Sequence, residues 1–454
     1  MQKRPLQTLA IAIPVLCLLS VAVYFLPPVH NRLSARVENL QAQVKYVISP
    51  PDEAIFVPGN AEGPTGAAMA SSTHSATPVP ATATRTLAPD IPTFTAQPTQ
   101  TPTQTPTHLP PKASLDGVIY VDQHGRWNYC GPSNLTMALN FWGWPGDRDD
   151  VARVVKPGVQ DPEIEFIQQG KWDKNVMPYE MADFVNEQTA YRAIVRYGGG
   201  ADLIKRLIAA GFPVIVEKGY FEADYTGKVA WMGHYLFTTG YDDVTHQFTV
   251  QDTYLKPGKD MPVDYEAYME GWRSFNYLWM LVYPPEREAE VNAVIGPYSD
   301  EAWASQHALE MAEREIPALT GVQEFFAWFN KGTSLVWLQQ YTEAAAAYDR
   351  AFALYAVLGN GDLQRPYRIL WYQTGPYWAY HYSGRYQDVI DLANNTLNKT
   401  IAEPTLEESL YWRGMAEYAL GQTDAAIADF LEAVRLNPNF GPGRYMLEQL
   451  GITP

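Results

Sequence analysis

One cysteine in this chain stands where a thiol nucleophile is most useful. Asn128-Tyr129-Cys130-Gly131-Pro132-Ser133-Asn134 runs into Leu135, Ala138, Leu139 and Trp142 at helical spacing. Gly131 and Pro132 permit a tight entry into a first helical turn. A thiol there sits beside the positive end of the helix dipole, which favours the thiolate, the nucleophilic form. The bland alternative is a small buried cysteine without chemistry, and composition alone leaves that open. Only one other cysteine exists, Cys17, inside an apolar N-terminal run, so neither a disulfide framework nor a multi-cysteine zinc site is indicated.

A thiol needs a base to take its proton, and the base needs an acceptor to fix its tautomer. Gly233-His234-Tyr235 through Gly240-Tyr241-Asp242-Asp243 reads as a strand, and Gln247 to Asp252 as its returning partner. In an antiparallel pair the start of one strand lies beside the end of the next, so Asp252 falls near His234. Other residues compete for these roles less well. His124 sits on the approach loop, and His246 belongs to the hairpin turn. Asp242 and Asp243 lie past the far end of the strand of His234, where turn chemistry explains them. Trp127 and Tyr129 flank the cysteine as cleft walls or as ordinary packing.

The surrounding elements suit an α+β domain. Val118 to Val121 reads as a strand, Asp202 to Ala210 as a helix closed by Gly211, Pro213 to Val216 as a strand, and Tyr277 to Val282 as the last one. Zinc chemistry is weakly supported, because the eight histidines are scattered. Gly198-Gly199-Gly200 lacks the lysine and hydroxyl of a phosphate loop. A formal charge of −17 argues against a nucleic-acid surface. No cofactor and no metal are expected.

Gln123, Cys130-Gly131-Pro132-Ser133, the run Ala209 to Val216, Gly233-His234-Tyr235, Gly240-Tyr241-Asp242 and Val250-Gln251-Asp252 together resemble the papain-like fold. More narrowly, the stretch from about 114 to 285 is similar to the double-glycine (bacteriocin-leader) cysteine peptidases, peptidase family C thirty-nine. That resemblance implies a thiolate nucleophile at Cys130, a general base at His234, an orienting acid at Asp252 and an oxyanion-stabilising amide at Gln123. Two departures stand out. The family usually leaves one residue fewer between the glutamine and the cysteine, and it commonly has proline where Thr253 follows the acid.

Before this domain, Lys3 and Arg4 precede an apolar run from Leu9 to Leu26, about the minimum for a membrane-spanning helix. With no small-residue cleavage site after it, the run reads as an uncleaved signal anchor that sends the remainder outward. Arg32 to Val47 suits a short amphipathic helix. From about Pro50 to Lys112 the composition falls to Pro, Thr, Ala, Ser and Gln, the character of a disordered stalk.

After it, Trp328, Gly332, Leu335, Ala344, Tyr348 and Ala351 occupy positions of a helix-turn-helix unit. Gly414, Ala426, Phe430, Ala433 and Pro438 repeat that spacing. This resembles the tetratricopeptide repeat, with its unit of about 34 residues. A degenerate middle copy spans Trp371 to Leu397, with Gly384-Arg385-Tyr386 at its turn and Pro376 inside its first helix. The aromatic run from Tyr367 to Tyr382 suits core packing or a peptide-binding surface.

The whole is therefore expected to be multidomain: residues 1–30 as signal anchor, 31–112 as juxtamembrane segment and linker, 113–290 as a papain-like α+β domain, and 296–454 as an all-α tetratricopeptide-repeat solenoid. The expected function is that of a cysteine peptidase tethered to the cell membrane by a single pass and held outside the cytoplasm. Its substrate would be a peptide or protein, and a protein partner would dock on the repeats. The alternatives are a catalytically silent papain-like scaffold and an acyl or amide transferase using the same triad.

Overall fold

The computed structural model describes residues 27–59, 109–157, 175–223, 227, 229–359 and 365–453. The apolar run Leu9–Leu26 and nearly all of the Pro/Thr-rich stretch lie outside them. Among the described residues, no helix is long and apolar enough to cross a membrane.

The first half of the molecule is built on one antiparallel sheet. Its strands are β1 (Lys112–Ser114), β2 (Arg192–Arg196), β3 (Val214–Ala223), β4 (Val229–Asp242), β5 (Gln247–Gln251), β6 (Met261–Asp264) and β7 (Trp279–Tyr283). They run in the order β2-β7-β3-β4-β5-β6, with β1 paired to β4. β4 is the longest strand and the spine of the sheet. One of its edges carries β3 along Val229–Thr238 and then β1 along Gly240–Asp242, while β5 covers the other from Phe237 onward. The expected strand at Val118–Val121 has no ladder partner. The chain pairs earlier, at Lys112–Ser114, and then runs without regular structure to the cysteine.

The helix Cys130–Phe141 lies on one face of the sheet. Its Leu135, Met137 and Leu139 are fully buried against Ile215, Phe237 and Met280. The helix Ala201–Ala209 supplies Leu203, Ile204, Leu207 and Ile208 to a second apolar cluster with Val214, Val216, Leu236 and Trp279. The sheet is thus covered by apolar side chains on both faces, and β4 is buried along most of its length.

The second half is a stack of helix pairs. Gly321–Trp337 packs on Tyr341–Val357, Gly375–Tyr382 on Tyr386–Asn395, and Glu407–Ala419 on Thr423–Leu436. Glycines make the close approaches possible. A Cβ at Gly332 would fall 2.7 Å from the ring of Tyr348, and one at Gly414 would fall 2.8 Å from Phe430. The middle pair differs from the expected copy in one respect. Pro376 opens its first helix instead of interrupting it, because the chain breaks regular structure at Gln373-Thr374 and restarts at Gly375.

The two halves share one core. Trp231, Phe275 and Leu278 of the sheet domain belong to the same apolar cluster as Phe326, Tyr348, Trp371 and Tyr377 of the helices. Polar ties cross as well. Asn276 donates to Ser334 Oγ at 2.9 Å, Asn330 to the Arg273 carbonyl at 2.7 Å, and Gln373 to the Ser274 carbonyl at 2.7 Å.

The segment after the first described helix, Pro27–Ile48, also joins this body. The expected linker began near Pro50, yet residues 51–59 pack against the helical half. Phe56 inserts between Phe352 and Tyr380 with centroids at 5.1 and 6.0 Å, and the Asp52 carbonyl accepts from Arg365 at 2.9 Å. Lys45 Nζ donates to the carbonyls of Ile401 and Ala402 at 2.6 and 3.0 Å. Pro-rich composition hid a short apolar segment, Ala54 to Phe56, which the repeats bury. Truncating its anchor by Phe56→Ala is expected to lower unfolding free energy by about 3 kcal/mol. The check is a urea midpoint that falls without a change of slope.

Candidate active site

The cysteine occupies the position its flanking residues implied, at the first residue of the helix Cys130–Phe141. Its approach loop is fixed by a network around Asp122. Arg148 donates to the carbonyl of Asp122, to its carboxylate at 3.0 Å and to the His124 carbonyl at 3.1 Å, while Ser133 Oγ donates to the Asp122 carbonyl at 3.1 Å. Asn128 takes a positive φ of 48° to turn the chain into the helix.

One residue of the same helix ties the cysteine to the sheet. Asn134 is fully buried, and its Nδ2 donates both to the Cys130 carbonyl at 2.8 Å and to the Tyr235 carbonyl at 3.0 Å. The first turn of the helix is thereby pinned to the strand position next to His234. Asn134 lies inside the very stretch that identified the cysteine, but nothing in its spacing distinguished it from an ordinary helical residue.

His234 and Asp252 meet as the hairpin register requires. β4 pairs Phe237 with Gln251, so Asp252 continues past the end of β5 toward His234. His234 Nε2 lies 3.1 Å from Asp252 Oδ1, leaving Nδ1 for the sulfur. Asp252 Oδ1 also accepts the backbone N–H groups of Tyr254 and Leu255 at 2.9 and 3.1 Å. Tyr120 Oη donates to the Asp252 carbonyl at 2.8 Å. Two tyrosine rings stand edge-on to the imidazole, Tyr220 at 5.5 Å and Tyr254 at 6.4 Å.

The three groups titrate as one unit. Burial pushes the Cys130 thiol up, but its hydrogen bond with His234, the imidazolium charge and the Tyr235 backbone outweigh that, and the thiol lies below its ordinary value. Burial opposes the charged imidazole too. The charge and hydrogen bond of Asp252, with the sulfur beyond, raise His234 to about 9. Burial also opposes the charged form of Asp252, yet the imidazolium and the two backbone donors hold it well below the carboxylate range. These shifts all favour a thiolate–imidazolium pair backed by a carboxylate.

Gln123 lines the same cleft. Its backbone N–H donates to the Thr253 carbonyl at 2.9 Å, and its side-chain Oε1 accepts the Thr253 hydroxyl at 2.8 Å. The amide nitrogen is the end of the side chain that this bond leaves for the cleft. The two departures from the family pattern thus touch each other. The hydroxyl standing in place of proline holds the glutamine whose spacing is longer. The other candidates fall elsewhere. His124 contacts the Tyr254 carbonyl at 2.8 Å, Asp242 caps its turn and pairs with Lys112 at 2.9 Å, Asp243 pairs with Lys205, and His246 sits in the turn at φ 55°.

The cleft is a cavity of about 230 Å³, and its far wall comes from the helical half. Arg368, Trp371, Tyr372, Ile401 and Ala402 line it, together with Tyr46 from the N-terminal helix. Arg368 lies over the rings of Trp371 and Tyr367, at 4.9 and 5.3 Å. Gly233, immediately before His234, makes this wall fit. A Cβ there would come within 2.6 Å of the Phe275 ring and 2.9 Å of the Tyr372 ring. In the sequence, Trp371 and Tyr372 stand out as repeat and aromatic-run residues, and Tyr46 and Arg368 carry no signal of a cleft. No local pattern announces a wall contributed from another module.

Residues 115–280 match the Peptidase_C39 like family. Residues 407–440 match the tetratricopeptide repeat. The C39-like match contains Gln123, Cys130, His234 and Asp252, and the repeat match contains the pair Glu407–Ala419 and Thr423–Leu436. Two solved structures are similar to the chain. One is a C39-like peptidase structure from Bacillus anthracis, at 14% identity and TM-score 0.29, covering 38% of this chain and 96% of that one. The other is Xylellain, a cysteine protease from Xylella fastidiosa, at 16% identity and TM-score 0.26, covering 39% of this chain and 87% of that one. No curated protein matches. The molecule thus combines a C39-like α+β domain with a helical region of tetratricopeptide repeats.

The tie between Thr253 and Gln123 gives a test that separates positioning from nucleophilicity. Thr253→Val should slow the alkylation of Cys130 by a peptidyl acyloxymethyl ketone, in which the sulfur displaces the carboxylate, about 10-fold, since an unheld amide is a poorer donor to the ketone oxygen. Its rate of simple alkylation by iodoacetamide should stay unchanged.

Proposed function

We propose that the chain is a cysteine peptidase in which Cys130 is the nucleophile, His234 the general acid and base, Asp252 the orienting acid and Gln123 an oxyanion donor. The observation that carries this reading is the placement of one imidazole between Asp252 Oδ1 at 3.1 Å and the Cys130 thiol, in a cleft that Gln123 also lines. The Cys130 thiolate attacks the peptide carbonyl, and the negative charge that develops on oxygen faces the Gln123 amide. His234 gives its proton to the departing amine as the C–N bond breaks, leaving a thioester. Water then loses a proton to His234 as it attacks that thioester, and the acid product leaves with the thiolate restored. A catalytically silent scaffold would have no need of the imidazole held between sulfur and carboxylate.

In the same reading, residues 113–290 form the peptidase unit and 296–454 the repeat unit, which docks a protein substrate or partner. Residues 1–30 anchor the chain in the cell membrane, and 31–112 include the stalk that holds the catalytic body outside the cytoplasm. The apolar run Leu9–Leu26 after Lys3 and Arg4, with the Thr/Pro-rich tract behind it, supports this placement.

The test uses a thiol-directed peptidase probe and a broad peptide library on the purified full chain. Wild type should label at Cys130 and cleave peptides. Cys130→Ala should do neither, and His234→Ala should lose at least about 100-fold in rate. Equal labelling of all three proteins would end this reading.

A further inference from the structure

A second cavity, of about 250 Å³, lies beside the cleft. Tyr372 lines both, so one ring is their common wall. The sheet domain contributes Glu217, Tyr197 and Phe275 to the second cavity, and the repeats contribute Trp337, Tyr341 and Trp378. Most of these are aromatic faces. Trp337 and Trp378 are partly exposed, which places them at the mouth. The volume falls below the range of about 300–1,000 Å³ typical of small-molecule sites, and it suits a single long side chain.

Glu217 is the one charged residue among the described lining. It interrupts the buried run Val214 to Val216 of β3 and is itself only 3% exposed. Its register partner across the sheet is Tyr235, whose hydroxyl donates to the Val176 carbonyl at 2.9 Å, and the charges that act on it are Cys130 and His234. Among the described residues, no lysine or arginine lines this cavity. A buried carboxyl is costly as an anion, so burial, with the charge of Cys130, holds Glu217 well above the ordinary carboxylate value despite His234. An arriving cation would reverse that preference. The aromatic faces would attract the same cation and flank its aliphatic stem.

We propose that this cavity is a subsite for a lysine or arginine side chain of the polypeptide that crosses Cys130, with the Glu217 carboxylate meeting the positive charge. The inference rests on the peptidase reading for its substrate but not for its test. The position of Glu217, close enough to Cys130 for their charges to interact, ties recognition to the thiol. Tyr372, a residue of the repeat region, separates the two chambers, so the helical half takes part in reading the substrate.

Binding is measured on the full chain carrying Cys130→Ala, which cleaves nothing and leaves every residue of the second cavity unchanged. The probes are acetylated pentaglycine amides with one arginine, or one norleucine, placed at each position in turn, followed by tryptophan fluorescence. At one or more positions the arginine peptide should bind about 10-fold or more tightly than its norleucine counterpart, the scale of a charge-assisted pair. Glu217→Gln, of nearly equal volume, should abolish that preference. Trp378→Ala, at the mouth, should weaken the arginine peptide and serves if the glutamine variant does not fold. Norleucine peptides that bind as well at every position would overturn the proposal. So would an arginine preference that survives Glu217→Gln, or, where only Trp378→Ala folds, one that it leaves unchanged. A protein that fails the peptidase test yet keeps the Glu217-dependent preference would sink the catalytic reading and leave this subsite standing.

Discussion

Everything chemical in this molecule depends on one constraint: the β4–β5 register must be held against the first turn of the helix Cys130–Phe141. A hydrogen-bonded thiolate–imidazolium pair tolerates little displacement, and groups more than a hundred residues apart in the chain must meet it. Two devices supply the accuracy. The hairpin brings Asp252 to His234 through backbone pairing, and the buried amide of Asn134 bridges the carbonyls of Cys130 and Tyr235. Both act beside the reacting atoms, so error has little distance over which to accumulate. The imidazolium of His234, with the backbone donors on Asp252, completes the arrangement by keeping the carboxylate ionised.

The second organising fact is the continuous core between the sheet domain and the helical repeats. An apolar cluster that includes Trp231, Phe275, Tyr348 and Trp371 does not let the two halves behave as beads on a string. Arg368, Trp371 and Tyr372 consequently form a wall of the cysteine cleft, and Gly233 accepts the rings of Phe275 and Tyr372 where no larger residue would fit. The tie from Lys45 to Ile401 and Ala402, and the burial of Phe56, carry the N-terminal segment into the same assembly. A repeat module that usually serves as a separate docking platform is here part of the enclosure around the thiol.

Much of this was legible in the primary structure, and the boundary of legibility has a physical cause. Cys130, His234 and Asp252 could be brought together on paper because a helix start and a hairpin are local objects, each specified within a short window. The first and last repeat pairs were readable for the same reason, since Gly332 with Tyr348 and Gly414 with Phe430 are fixed-spacing contacts. The strand expected at Val118–Val121 failed because an apolar run says nothing about whether a partner edge is free. β4 had already given its edges to β1, β3 and β5. The packing of residues 51–59 was hidden by proline-rich composition, and the contributions of Tyr46, Arg368 and Glu217 were hidden by distance. The hydroxyl of Thr253 shows a further limit: as a departure from a family pattern it looked like a loss, and only the tie to Gln123 gives it a role.

The most direct test of the central claim is the rate of Cys130 alkylation by iodoacetamide as a function of pH, read by mass on the peptide that contains it. Cys130 lies below its ordinary value and His234 is raised to about 9, so the pair stays ionised between those two limits. In the wild type the rate should rise at lower pH than in His234→Ala. In His234→Ala the sulfur should return to the range of an ordinary thiol, near 8.5, and at pH 6 should react more than about 100-fold below its own maximum. Coincident curves for the two proteins, both rising only through the ordinary thiol range, would contradict the ion pair and with it the assembled site.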